Sequence, residues 1–188
     1  MRGMYSRLKT VRNKIKNDPF ELDEEGREIV DISILDSDEM LSVYNPDGKQ
    51  RISDEMAQVI DNSIKTTSYN KDIHLRFTCA KVTPEKEALY QNAIVNYYIN
   101  EFGEHETRLH NNSIISLVVF ILSIVSFGLL FLLKSLDVFW LITEFIDVVA
   151  WVFAWETVDL LFFQRQLIKY EERKNLKVIY AKITFRTL

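Results

Sequence analysis

A chain of 188 residues with 27 acids against 23 lysines and arginines lacks the basic excess that nucleic-acid binding calls for. Its single cysteine, Cys79, cannot close an intrachain disulfide, which suits a reducing compartment. The 47% hydrophobic content is ordinary in total but concentrated between residues 114 and 163, the mark of a membrane protein.

Residues 1–17 pattern as a basic amphipathic helix. Met4, Leu8, Val11 and Ile15 recur at helical spacing, and Arg2, Arg7, Lys9, Arg12, Lys14 and Lys16 occupy the other faces. Such a segment can lie on an anionic inner leaflet, each cation contributing about 1 kcal/mol near the surface. It can equally dock on the protein's own domain. Asp18-Pro19 ends it, because the residue before proline is pushed out of the helical region.

Between residues 18 and 61 the charge inverts, with 14 acids against Arg27, Lys49 and Arg51. No stretch reproduces the ligand spacing of a calcium loop, so a solvated acidic face is expected. Residues 29–35 and 40–44 read as short strands on their β-branched content. Asn45-Pro46-Asp47-Gly48 is a turn: proline presets φ and glycine permits a positive one. Ser53, then Asp54 and Glu55, then an apolar stripe, predicts a capped helix over 54–66. Residues 72–80 alternate, with Ile73, Leu75, Phe77 and Cys79 on one face, and predict a strand with a buried, inert thiol.

Thr83-Pro84-Glu85 starts a helix expected to run past Gly103 to Asn111 and into the membrane. Glu101, His105 and His110 lie along it, but with no further ligand in view no metal or cofactor is expected. Residues 114–133 then carry no charge over 20 positions, which at helical rise matches a hydrocarbon core of ~30 Å. A short break containing Lys134 and Asp137 precedes a second apolar run, 138–163. Residues 1–30 contain no continuous apolar run of signal-peptide type, so the first span is expected to direct membrane insertion. Arg108 precedes the pair and Arg165, Lys169, Arg173, Lys174 and Lys177 follow it. Positive-inside bias therefore places both termini in the cytoplasm of a bacterial-type inner membrane, with two passes.

The second run is unusual in bearing acids. Glu144, Asp147, Trp151, Trp155 and Asp159 fall on one side of a helix, with Glu156 off to the flank. An ionised acid facing lipid costs at least about 2.5 kcal/mol, so this stripe is expected to face protein or water. The first span offers Ser113, Ser116, Ser123 and Ser126 on a common arc as hydrogen-bonding partners, but no cation. Self-association through the second span is the economical way to shield the acids.

Residues 164–174 continue as a charged helix, and 176–188 alternate like a strand. A lone strand is unstable, so the last one must pair with a strand of the N-terminal region, as 76–78 and 184–186 invite. The expected architecture is an α+β domain, 18–112 with 164–188, into which a transmembrane hairpin, 113–163, is inserted. No catalytic motif is present: no phosphate loop, no nucleophile elbow, no metalloprotease helix. The pattern points to a non-enzymatic, homo-oligomeric interaction protein whose partners are the bilayer, other copies and a cytosolic or membrane protein. The alternative is a small cation or proton channel, and in one form a membrane-depolarising effector, lined by the acids of the second span.

Overall fold

The computed structural model describes residues 20–34, 40–45, 48–68, 70–80, 82–136 and 139–187. The basic segment with Arg2, Arg7, Lys9, Arg12, Lys14 and Lys16, and also Asp137 of the membrane break, lie outside them. The chain mixes helix and strand in the order β1 (Glu28–Ile34), α1 (Asp54–Ile64), β2 (Ile73–Cys79), α2 (Pro84–Ser135), α3 (Trp140–Val158), a π-helical stretch (Asp159–Gln164), α4 (Arg165–Ile179) and β3 (Lys182–Thr187). It divides into two compact units: Met1–Tyr98 with Lys177–Leu188, and Ile99–Leu176.

The first unit is a three-stranded sheet in the order β1-β2-β3, with both pairings parallel. Parallel neighbours need long crossovers. Helix α1 lies in the first, and everything from α2 to α4 lies in the second. In the second pairing Arg76 sits beside Thr184, Phe77 beside Phe185 and Thr78 beside Arg186. Strand β2 is central, and its odd-numbered side chains are wholly buried, from Ile73 to Cys79. Met56, Ala57 and Ile60 of α1, together with Tyr90, Ala93 and Ile94 of α2, join them in one core. Phe77 stacks on Phe185 with ring centroids 5.3 Å apart. A buried aromatic of this kind removes ~200 Å² from water, roughly 5 kcal/mol of transfer free energy. Burial also raises the Cys79 thiol above its ordinary pKa, with Glu87 adding to the shift, as an inert core thiol requires.

Local chemistry sets the ends of these elements. Ser53 Oγ accepts the Met56 N–H at 3.2 Å and caps α1. The turn after Tyr44 is closed by the Gly48 N–H donating to the Asn45 carbonyl, with Gly48 at φ +71°.

Two expected strands are revised. Residues 40–44 form no strand; Leu41 makes an isolated antiparallel bridge to Ile52, because Asn45 and Ser42 spend their side chains on the turn instead. The last strand begins at Lys182 and not at 176, since Leu176 to Ile179 complete the final turn of α4. Val178 there is fully buried in the core.

The second unit consists of helices. Helix α2 is 52 residues long, and its C-terminal part is long and apolar enough to cross a membrane. The second apolar run is not one continuous α-helix: α3 ends at Val158 and gives way to the π-helical stretch.

Candidate functional site

Along α2 the shielded positions are His105, Leu109, Asn112, Ser116, Val119, Ser123, Ser126 and Leu130, in alternating steps of four and three. On α3 and just beyond the buried positions are Thr143, Ala150, Thr157 and Leu160, with Ile146 and Phe153 half-buried between them in steps of three and four. This is heptad spacing, and the seam it describes alternates small or hydroxylated residues with larger apolar ones. Phe127 meets Trp151 edge-on at 5.8 Å, and the Asn112 side-chain amide donates to the Leu160 carbonyl at 2.9 Å. His105 Nδ1 lies 3.5 Å from Glu171 Oε2, so the two helical stretches run antiparallel. Leu160 and the next shielded position, Ile168, are eight residues apart instead of seven, and the π turn between them takes up the extra residue. Asn112 adds a side-chain donor to a carbonyl of that wider turn.

The serine arc is therefore not the partner of the acids. Ser116 and Ser123 are buried in the seam, and the Ser116 hydroxyl donates back to the Ser113 carbonyl. The acid–tryptophan stripe of α3 is mostly open, although Trp151 meets Phe127 by one edge. Trp151 and Trp155 are 64% and 70% exposed, Glu144 and Glu156 are exposed, and Asp147 is half-buried. Asp147, Val148, Trp151, Val152, Trp155 and Glu156 line one shallow groove. Asp159 stands apart from that groove in the π turn, where its carboxylate accepts from Gln164 Nε2 at 2.8 Å.

A second constellation lies on the opposite face of the sheet from the core. His74 Nε2 is 2.9 Å from Thr184 Oγ1, and its Nδ1 is 3.4 Å from Asp23 Oδ2. Acid, imidazole and hydroxyl in series are the parts of a nucleophilic relay. Asp23 is otherwise committed, however. Its Oδ1 accepts the N–H groups of Glu25 and Arg27, and its Oδ2 accepts Arg27 Nε at 2.8 Å. Burial works to raise its pKa, but the Arg27 side chain and the two backbone donors outweigh this and hold it at about 2. The group is a turn clamp, beside which Arg76 is paired to Asp31 across the β1–β2 register.

For His74, burial lowers the pKa below 6.5; Asp23 opposes the shift, and Lys182, Arg27 and Arg76 reinforce it. The unfolded chain therefore takes up a proton near pH 6.5 that the folded chain accepts only at lower pH. Stability contributed here is present above 6.5 and falls as the pH drops below it. His74→Gln keeps a group able to bond Thr184 while removing the titration. The unfolding midpoint of the natural protein should fall more steeply from pH 7 to pH 5 than that of H74Q, measured side by side by thermal melts.

Among the described residues no cluster of three metal-ligating side chains is found. His105 is turned to Glu171, while His110 is exposed. No family model matches the chain, and no curated protein or solved structure matches it either.

Proposed function

We propose that the protein is a two-pass integral membrane protein that self-associates through the outward acid–tryptophan face of α3 and presents a cytosolic α+β domain to a partner. The spans are residues 114–133 and 138–163, inserted as a hairpin in the second crossover of the domain, with both termini cytoplasmic. Its role is assembly and interaction, without catalysis. One observation carries this: the acid–tryptophan face of α3 is largely open, with Trp151 and Trp155 64% and 70% exposed although Trp151 touches Phe127 of α2 by one edge. In a bilayer that face would set Glu144, Asp147 and Glu156 against lipid, at about 2.5 kcal/mol or more for each ionised group near the centre. A second copy covering it removes that cost and buries two large aromatic anchors.

The test is disulfide cross-linking of the full-length protein in nanodiscs through Val148→Cys, a position 62% exposed beside the groove. Covalent dimers are expected, and adding Trp151→Ala with Trp155→Ala should weaken association tenfold or more. A monomer with no cross-link would remove the proposal.

The same face supports an alternative in which Glu144 and Asp147 ring a cation or proton path, as a membrane-depolarising effector would require. Cation-selective current in liposomes that disappears in the Glu144→Gln, Asp147→Asn double variant would favour that path over plain assembly.

A further inference from the structure

Two side chains buried in the helical unit hold polar atoms without a hydrogen-bond partner. His105 of α2 is 7% exposed and its Nδ1 is unpartnered; Asn175 of α4 is 3% exposed and its side-chain nitrogen is unpartnered too. Glu171 of α4 stands beside the first, its Oε2 3.5 Å from Nδ1. It precedes Asn175 by four residues and so shares a helical face with it. Buried polar atoms are almost always bonded, and one left unpartnered points to a ligand or a chemical role.

We propose that His105 and Glu171 hold a divalent transition-metal ion of the zinc class between α2 and α4, with water in the remaining coordination positions. Distance is the first support. At 3.5 Å the nitrogen and oxygen are too far apart for an ordinary N–H···O bond of about 2.7–3.2 Å. Zinc binds imidazole nitrogen and carboxylate oxygen at about 2.0–2.2 Å, so neighbouring ligands of a tetrahedral ion stand about 3.4 Å apart. The pair is spaced as two ligands of one ion. Donor chemistry is the second support, because imidazole with carboxylate suits zinc and its divalent neighbours. The Glu171 side chain is 42% exposed, so water reaches the ion from that side. The unpartnered N–H groups of Asn175 then have an acceptor in a metal-bound water, an outer-shell role that orients the site. Glu101, one turn before His105 on α2, already has an interaction of its own, and the second ligand comes from the facing helix instead. His105 lies nine residues before Ile114 and Glu171 eight after Phe163, so the ion ties the two helices at one level beyond the apolar runs. Under the two-pass topology proposed above, that level is cytosolic; the site itself does not depend on the topology.

The experiment strips the full-length protein in nanodiscs with a chelator and titrates it with zinc chloride in a calorimeter. The pH is set above the ordinary imidazole range, because only a neutral ring nitrogen ligates. One saturable equivalent should bind. Glu171→Gln, which keeps the side chain's size, should weaken binding about tenfold or more, and His105→Ala should do the same. His110→Ala, which removes an exposed histidine of the same helix, should bind as the natural protein does. Zinc at ten times its Kd should also slow hydrogen exchange of the amides flanking His105 and Glu171 by about tenfold, since it binds only the closed pair. That slowing is read on the natural protein, so it decides the question even if Glu171→Gln loosens the helices by itself. Binding that survives both substitutions would overturn the proposal. So would zinc binding without slower exchange at those amides, or no binding tighter than ~1 mM.

Discussion

Phe77→Ala should lower the stability of the sheet-bearing unit by about 3–5 kcal/mol, the cost of emptying a large buried aromatic site that cannot collapse. Phe77 is fully buried at the centre of β2 and is stacked on Phe185 of β3, which in turn tilts against Tyr90 of α2 at 5.9 Å. One truncation therefore loosens the central strand, its partner and the helix over them. Hydrogen exchange on the full-length protein is the appropriate measurement, because all three tryptophans lie in α3 and report on the other unit. Protection of the β1, β2 and β3 amides should fall by about two to three orders of magnitude, at ~1.4 kcal/mol per decade. Amides of α3 should not change. Phe77→Leu, which retains most of the volume, should cost less than about 2 kcal/mol.

Glu28→Ala should cost about 2–4 kcal/mol by a different mechanism. Glu28 is a carboxylate at 4% exposure at the start of β1. One oxygen accepts the Ser68 N–H at 2.7 Å and the other accepts the Ser68 hydroxyl, while Lys71 Nζ stands 3.8 Å away. Lys177, near the end of α4, donates to the Ser68 carbonyl. Burial depresses the Lys177 pKa, with Glu28 and Asp72 working against that shift. The carboxylate thus fastens the loop before β2 to β1, and Lys177 fastens the same loop to the element leading into β3. Removing it breaks both bonds to Ser68, and hydrogen bonds to a charged group contribute about 1.5–3 kcal/mol each. Chemical denaturation should show the loss. Glu28→Gln, which retains one acceptor oxygen, should show about half of it.

The sequence carried those elements whose pattern depends on one face meeting one core. The alternation of Ile73, Leu75, Phe77 and Cys79, the Ser53 cap and the uncharged run 114–133 each state a local condition that the fold then satisfies. What could not be read depends on pairing. Parallel and antiparallel strands with one buried face look alike in a single segment, so the common direction of β1, β2 and β3 had no local signature. The Asp23–His74–Thr184 group unites three distant stretches for the same reason. The seam between α2 and α3 was hidden differently. Its buried members include Asn112, Ser116, Ser123, Thr143, Ala150 and Thr157, whose small or polar side chains carry no hydrophobic periodicity of their own. The stripe of Glu144, Asp147, Trp151 and Trp155 was legible as a stripe. Which way it faces was not, because that follows from where the small residues are.

Strand β3 follows α4 in the chain, and β2 keeps one edge open until it arrives. Everything between β2 and β3, including the apolar length of α2, must be synthesised before Ile183 and Phe185 can close the core. A chain in which β3 fails to reach β2 presents a naked parallel edge and an unfilled place beside Phe77, both of which invite aggregation and proteolysis. The closed sheet hides both at once.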